Sequence, residues 1–254
     1  MTGRQIMGDN QLFGYRERIY KHYVHAREQP LAPPTLEGLK SRAPYLTKLI
    51  QTHFPADRRS TILELGCGHG ALIHFARREG YVNIRGVDRS PEQVGAARRL
   101  GIEGVEEGDL LTTLAVQADE SLDVVVAFDV IEHFTRDELL GFVDQVHRVM
   151  RPGGCWIIHA PNGESPFGGR IRYGDLTHEL VFTQKSIGQL LLSSGFSRVQ
   201  CFEDVPIVHG LKSVVRWGLW QVIRSGLRLY LTAETGDTAR NAIFSQNFLT
   251  VVVK

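Results

Sequence analysis

Short apolar runs alternate with amphipathic stretches through the middle of the chain. The runs at residues 62–65 and 122–128 have the length of strands, and the second is rich in β-branched residues, as in a strand buried on both faces of a parallel sheet. Apolar residues recur at helical spacing over residues 71–76 and again after Thr135, which can form a capping box with Glu138. Ser90 and Thr183 can cap two further helices, and Pro44 marks a break or restart in a helical stretch at 36–53. Strands that alternate with helices predict an α/β protein with a mostly parallel sheet.

Alternating glycines separate the first strand from the first helix of this pattern. Gly66, Gly68 and Gly70 permit positive φ angles and close approach of a ligand, and a helix N-terminus favours an anionic group. We interpret the turn as a site for a nucleotide-like cofactor, with a purely structural turn as the alternative. The spacing also satisfies the dinucleotide fingerprint, with Asp88 placed for a ribose contact. Glu64 disfavours a pyrophosphate here and suits a cofactor that carries ammonium and sulfonium groups.

From Glu64 to Gly70 the chain resembles the first motif of the class I S-adenosylmethionine-dependent methyltransferases, acid-x-Gly-x-Gly-x-Gly. Further motifs follow in the family's order, including Asp88 after a second strand, Gly108-Asp109 after a third and an Arg-Pro-Gly-Gly turn at 151–154. The resemblance implies S-adenosylmethionine as cofactor, with Asp88 on the ribose hydroxyls and Asp109 on the adenine amine. The cofactor-binding residues that it implies are Glu64, Gly66, Cys67, Gly68, Asp88, Arg89, Asp109, Leu110, Phe128 and Asp129.

The fold that the resemblance implies is a seven-stranded, mostly parallel Rossmann-like sheet with helices on both faces and an antiparallel terminal strand. We expect one methyltransferase domain over residues 1–254. It would comprise an N-terminal helical cap at 1–57, a core at 58–204 and 245–254, and an amphipathic insertion at 205–244. A fifth strand is expected at 155–160, after the Arg-Pro-Gly-Gly turn.

Composition and charge indicate which partners and which cellular location to expect for this domain. The net charge of +1 provides no general field to attract nucleic acid, so we expect no nucleic-acid partner. No leader-like N-terminus and no run of about 18 apolar residues occur, which argues against export and membrane spanning. The three cysteines have neither pairing nor metal-ligand spacing, as expected for reduced thiols. We therefore expect a cytoplasmic protein.

Methyl transfer from a sulfonium is an in-line displacement, so the protein must align the acceptor and remove a proton if the acceptor is a hydroxyl. His133 is the candidate general base because it follows the fourth strand and an imidazole titrates near neutrality. In similar enzymes a His at this place is the base in some cases and only orients the loop in others. Asp129, Glu132 and His133 also carry metal-ligand groups, but this spacing is too common to predict a metal, and we expect none.

Acceptor recognition is expected from the segments added to the core. A long irregular segment follows the fifth strand at 161–179, and such loops are often functional. A helix around Tyr23 resembles the lids of similar methyltransferases. The candidate substrate-binding residues are Tyr23, Arg170, Tyr173 and His178.

A hydroxyl of a small molecule or glycan is the acceptor that we expect. N-methylation of an amino sugar or small amine is the nearest alternative. A dehydrogenase-like or non-catalytic nucleotide-binding protein is a further alternative, although the chain has no constellation for hydride transfer and its cofactor motif is intact.

The insertion carries no acid between residues 205 and 233. A helix at 211–231 would place Lys212, Arg216, Arg224 and Arg228 on one half and apolar residues on the other. Such a helix can lie on an anionic membrane as a peripheral contact, or it can serve as a lid or as the contact of a homodimer. We favour the lid or dimer, since the apolar half would then be buried.

Overall fold

The computed structural model describes Ile19 and residues 32–254. Tyr23 and nearly all of the predicted N-terminal helix therefore lie outside the described residues. Strands and helices follow the predicted order. The helices are α1 (Ala43–His53), α2 (Ala71–Arg78), α3 (Pro91–Arg99), α4 (Leu110–Ala115), α5 (Arg136–Val149), α6 (Gly168–Gly174), α7 (Gln184–Ser193) and α8 (Leu211–Thr235), with 3-10 helices at Leu36–Ser41 and Ile131–His133. The strands are β1 (Ile62–Leu65), β2 (Ile84–Asp88), β3 (Val105–Glu107), β4 (Leu122–Phe128), β5 (Met150–Pro161), β6 (Arg198–Glu203) and β7 (Asn247–Val253).

The seven strands form one sheet in the order β3-β2-β1-β4-β5-β7-β6. Strands β1 to β5 pair in parallel, whereas β7 is antiparallel to both β5 and β6. This confirms the predicted fold class. The carboxyl ends of β1 and β4 lie side by side where the strand order reverses, which is where open α/β sheets bind ligands.

The core has one layer of helices on each face of the sheet. Along β4, Val125 and Ala127 pack with residues of α5 and α7, whereas Val124 and Val126 pack with residues of α1 and α2. All four side chains are fully buried. The alternation explains the continuous apolar run of β4, because both faces of this strand are covered.

Several local predictions are confirmed by hydrogen bonds. The hydroxyl of Ser90 accepts from the amide of Gln93 at the start of α3, and Thr135 and Glu138 form a reciprocal capping box at the start of α5. Thr183 caps α7 in the same way. Pro44 is the second residue of α1, in the first turn where its missing N–H is tolerated, and the break that it marks lies just before it, between the 3-10 helix and α1.

Strand β5 differs from the prediction at its start. It begins at Met150 rather than at Cys155 and includes the Arg-Pro-Gly-Gly sequence. Leu122 of β4 pairs with Met150, but Val124 pairs with Cys155, so the residues between them loop out of register. Gly153 has a φ of 78° within this irregularity. The segment after β5 also differs, because it contains helix α6 and is not wholly irregular.

Helix α8 does not pack as the expected lid, and the expected homodimer contact stays a prediction. Ser213 is buried against the body of the protein and Arg224 is paired with Glu203 (Nε–Oε2 2.5 Å). In contrast, Lys212 and Arg216 on the same polar half of the helix are exposed. Its apolar half is exposed, so the expected burial of this half as a lid does not occur in the described structure. The exposed apolar side chains include Leu211, Val214, Val215, Leu219, Val222, Ile223 and Leu229.

Candidate active site

The glycine turn after β1 has the backbone geometry that the sequence predicts. The φ angles of Gly66, Gly68 and Gly70 are 71°, 55° and 77°. A Cβ at Gly66 would lie 2.5 Å from Cγ2 of Val130, so packing excludes a side chain. A Cβ at Gly68 would have Oε1 of Gln93, at 3.8 Å, as its nearest neighbour. The space beside Gly68 therefore lets a ligand approach the backbone.

Asp88 connects the end of β2 to this turn. Its Oδ2 accepts a hydrogen bond from the amide of Gly68 at 2.7 Å, and its Oδ1 accepts from the amide of Ser90 at 2.9 Å. Burial raises the pKa of Asp88, and the two backbone donors act in the opposite direction. The carboxylate is thereby fixed beside the turn, where an acceptor for ribose hydroxyls is expected.

Glu64 is buried in β1 immediately before the turn. Within the described part of the chain its Oε2 has no hydrogen-bond partner. Burial raises the pKa of Glu64 to about 8. Asp88 also raises this pKa, whereas Arg42 lowers it. A buried carboxyl without a partner is unfavourable, and the ammonium group of the predicted cofactor would supply one. The turn, Asp88 and Glu64 therefore fit S-adenosylmethionine.

The remaining predicted cofactor contacts are placed around the same edge. Asp109 is exposed and caps α4, where its Oδ1 accepts from the amide of Thr112 at 3.0 Å. Leu110 is partly buried against the core, and Arg89 is exposed beside Asp88. Cys67 is buried, and burial raises the pKa of its thiol.

An ion-pair chain that the sequence reasoning missed extends from the end of β4. Nδ1 of His159 in β5 lies 2.7 Å from Oδ1 of Asp129, and its Nε2 lies 3.5 Å from Oδ2 of Asp204. Burial alone would lower the pKa of His159, but the two carboxylates raise it to about 10. The rings of Tyr45 and Phe128 lie 6.3 Å and 5.4 Å from that of His159. Burial together with Asp204 raises the pKa of the Tyr45 phenol.

Asp129 has an unusual backbone at this position. Its φ is 54°, and its amide donates to the carbonyl of His159 at 3.0 Å. Asp tolerates the left-handed region better than most residues. A polar His near the end of an otherwise apolar strand was the signal in the sequence that could have identified His159.

A second polar cluster lies just beyond Asp129. One ligand atom each of Glu132, His133 and His178 lies within 4.8 Å of the others, and the two rings are 4.8 Å apart. Nδ1 of His133 is 3.0 Å from Oγ1 of Thr177. Burial, and then the neighbouring His178, lower the pKa of His133, which favours the neutral imidazole. Burial raises the pKa of Glu132 well above its usual range.

The predicted acceptor residues separate into two groups. His178 lies in the cluster with His133. In contrast, Arg170 and Tyr173 on α6 are exposed, with 82% of Tyr173 accessible. The guanidinium of Arg172 lies over the ring of Tyr173 and donates to the carbonyl of His178. Of Arg170, Tyr173 and His178, the structure therefore places only His178 beside His133, the candidate base.

Comparison with known proteins agrees with this geometry. Residues 39–200 match the model of a family described as a methyltransferase domain. A cyclopropane mycolic acid synthase 3 of Mycobacterium tuberculosis is 28% identical over an alignment of 194 residues that covers 72% of this chain and 62% of that protein. A probable S-adenosylmethionine-dependent methyltransferase of Mycolicibacterium smegmatis is 31% identical over 59% of this chain and 55% of its own length. The chain thus spans less than two thirds of these relatives.

Solved structures show the same fold at lower identity. A SAM-dependent methyltransferase from Archaeoglobus fulgidus superposes with a TM-score of 0.64 at 18% identity, covering 94% of this chain and 99% of that one. Phosphoethanolamine N-methyltransferase 2 of Haemonchus contortus, in complex with S-adenosyl-L-methionine, gives a TM-score of 0.59 at 14% identity, covering 96% and 60%.

Proposed function

Because this chain belongs to the class I S-adenosylmethionine-dependent methyltransferase family, we propose that it transfers a methyl group to a hydroxyl of a small molecule or glycan. One observation carries the choice of a hydroxyl. The imidazole of His133 lies within the polar cluster that follows β4, where burial lowers its pKa and favours its neutral form. A hydroxyl must lose its proton on methylation, and a neutral imidazole can accept it.

In this proposal the acceptor oxygen lies in line with the sulfonium. The oxygen lone pair forms the new bond to the methyl carbon as the S–CH₃ bond breaks, and that electron pair returns to sulfur. The hydroxyl proton passes to His133. Positioning of the two reactants supplies the rest of the acceleration.

N-methylation of an amino sugar or small amine is the nearest alternative, because a neutral amine can attack before it loses its proton. A hydroxyl acceptor needs His133 as a base during the transfer, whereas a neutral amine acceptor does not. Loss of the imidazole should greatly slow transfer to a hydroxyl and affect transfer to an amine much less.

A second candidate function is transfer to an acceptor carried by a lipid. The exposed apolar half of α8 supports it, together with Lys212 and Arg216, which are also exposed. An exposed apolar stripe bordered by cations suits an anionic membrane surface. A relative is named for synthesis of cyclopropane mycolic acid, which is a lipid. Among the residues described, no helix has the length and apolarity to cross a membrane, so this contact would be peripheral.

The test is a transfer assay with methyl-labelled S-adenosylmethionine. Panels of glycans, hydroxylated small molecules, amines and lipid vesicles would be offered to the full chain and to His133→Ala. Label in a hydroxylated product that is formed by the full chain and lost with His133→Ala supports the proposal. Label only in amines or lipids replaces it with the corresponding alternative.

A further inference from the structure

We propose that Glu132, His133 and His178 form a binding site for one divalent transition-metal ion. The 3-10 helix after β4 presents the first two residues, and the loop after α6 presents the third. Their candidate ligand atoms lie within 4.8 Å of one another. The spacing of Glu132 and His133 in the sequence was uninformative, and it is the fold that adds a third ligand 45 residues further along.

The carboxyl group of Glu132 supports an ion at this place. Its side chain is 0% exposed, and within the described part of the chain neither of its oxygens has a hydrogen-bond partner. A buried carboxyl group normally has hydrogen bonds, an ion-pair partner or a metal, because burial without them is costly. A cation among Glu132 and the two imidazoles would supply the missing partner.

Contacts behind the two imidazoles support the same conclusion. Nδ1 of His178 lies 3.0 Å from the carbonyl oxygen of Ile171, and Nδ1 of His133 lies 3.3 Å from that of Thr177. Metal-bound imidazoles commonly donate their second ring N–H to a carbonyl, which fixes the ring and the tautomer. Thr177 is itself held by Asp175, whose Oδ1 accepts from the Thr177 hydroxyl at 2.6 Å.

The ligand set of two imidazoles and one carboxylate indicates which metal ions the proposed site would bind. This ligand set suits Mn²⁺, Fe²⁺, Co²⁺ or Zn²⁺, whereas Mg²⁺ and Ca²⁺ prefer oxygen ligands. Three protein ligands also leave coordination positions for an exogenous oxygen. We therefore expect a site with open positions that binds Zn²⁺ more tightly than Mn²⁺, following the usual order of affinities.

The consequence for chemistry rests on the proposed function. An acceptor hydroxyl on the ion would have a lowered pKa and would release its proton to water. Its oxygen would then form the bond to the methyl carbon while the S–CH₃ bond breaks and its electron pair stays on sulfur. With the ion bound, His133 would thus be a ligand and water would take the proton, whereas in the metal-free protein His133 is the proton acceptor of the proposed function.

The experiment measures metal binding by the full chain without cofactor or acceptor. Free Mn²⁺ would be followed by electron paramagnetic resonance during a titration, and Zn²⁺ by competition with a chromophoric chelator. We expect one ion per chain and at least about tenfold weaker binding in Glu132→Gln and in His178→Asn. The control is His147→Asn, since this ring packs against Phe196 away from the cluster.

Each result decides the question. Unchanged affinity in both Glu132→Gln and His178→Asn would overturn the proposal, and so would the absence of wild-type binding below about 1 mM. Binding of S-adenosylhomocysteine by each variant shows that the variant is folded. Because no methyl transfer is measured, a failed metal titration leaves the hydroxyl methyltransferase proposal standing, and a failed transfer assay leaves the metal site standing.

Discussion

Nδ1 of His159 lies 2.7 Å from Oδ1 of Asp129, so a buried imidazole on β5 is paired with the residue that directly follows β4. The carboxylates of Asp129 and Asp204 raise the pKa of His159 to about 10 despite its burial. A raised pKa in the folded state gives stability that is complete below the unfolded pKa of about 6.5. This stability is lost as pH rises toward 10.

The first prediction follows from this titration. The melting temperature of the wild-type protein should decrease as the pH rises from 6.5 to 10. In His159→Gln the decrease over the same pH range should be smaller. Thermal unfolding across this range would measure it, with His74→Gln on the outer side of α2 as control. Parallel pH profiles for wild type and His159→Gln would show that the imidazole is not charged in the fold.

The second prediction concerns Asp88 and the cofactor. Asp88→Ala should weaken binding of S-adenosylhomocysteine by about 1–3 kcal/mol, because it removes a partly buried acceptor and frees the amide of Gly68. Isothermal calorimetry would measure the change, with Asp57→Ala in the exposed turn before β1 as control. An affinity equal to that of wild type would argue against a ribose contact at this position.

The third prediction concerns His133. His133→Ala should lower turnover of a hydroxyl acceptor by about 10²–10⁴-fold while leaving affinity for S-adenosylhomocysteine nearly unchanged. Initial rates and calorimetry on the same samples would separate the two effects, and His74→Ala is the matched control. If turnover survives, or if only cofactor binding is lost, His133 has a structural role.

The fourth prediction uses Glu132 in the absence of metal. Burial, reinforced by Asp129, raises the pKa of this carboxyl group above its unfolded value. The folded state should therefore lose stability relative to the unfolded state as pH rises above about 4.5. In a chelator, Glu132→Gln should melt higher than wild type, and the difference should grow from pH 5 to 8. Glu107→Gln on β3 should show no such trend.

The fifth prediction concerns α8. The protein should sediment with vesicles of anionic phospholipid, and binding should weaken in Lys212→Glu/Arg216→Glu and as salt rises. Replacing Leu219, Val222 and Leu229 with Ser should abolish binding, whereas Val82→Ser and Val116→Ser, also at exposed apolar positions, should not. No vesicle binding together with a dimer that the triple Ser variant dissociates would favour a subunit contact instead.

Sequence patterns determined the elements of the core well because burial there is nearly complete. The run of β4 was predicted at its observed bounds, and the caps at Ser90, Thr135 and Thr183 each form the expected hydrogen bond. Local chemistry is sufficient for such features, since cap and helix are adjacent in sequence. The start of β5 was missed because its irregular register depends on pairing with β4.

Contacts between residues that are far apart in the sequence could not be predicted from the sequence alone. Amphipathicity located α8 but not which side packs on the protein, and the ion pair with Glu203 holds Arg224 of the polar half against β6. Tyr45 and Asp204 both lie beside His159 although the three residues are far apart in sequence. Likewise, His178 was predicted as a substrate contact, while its proximity to Glu132 depends on the loop that follows α6.

The position of β7 between β5 and β6 has a consequence for the order of folding. Strand β6 joins the sheet through β7, yet the whole of α8 is synthesised between them. During synthesis, β5 therefore has an unpaired hydrogen-bonding edge, and β6 has no neighbouring strand until β7 has been made. Unpaired strand edges and exposed apolar surface invite aggregation. We expect the nascent chain to depend on chaperone protection until residues 247–253 have emerged.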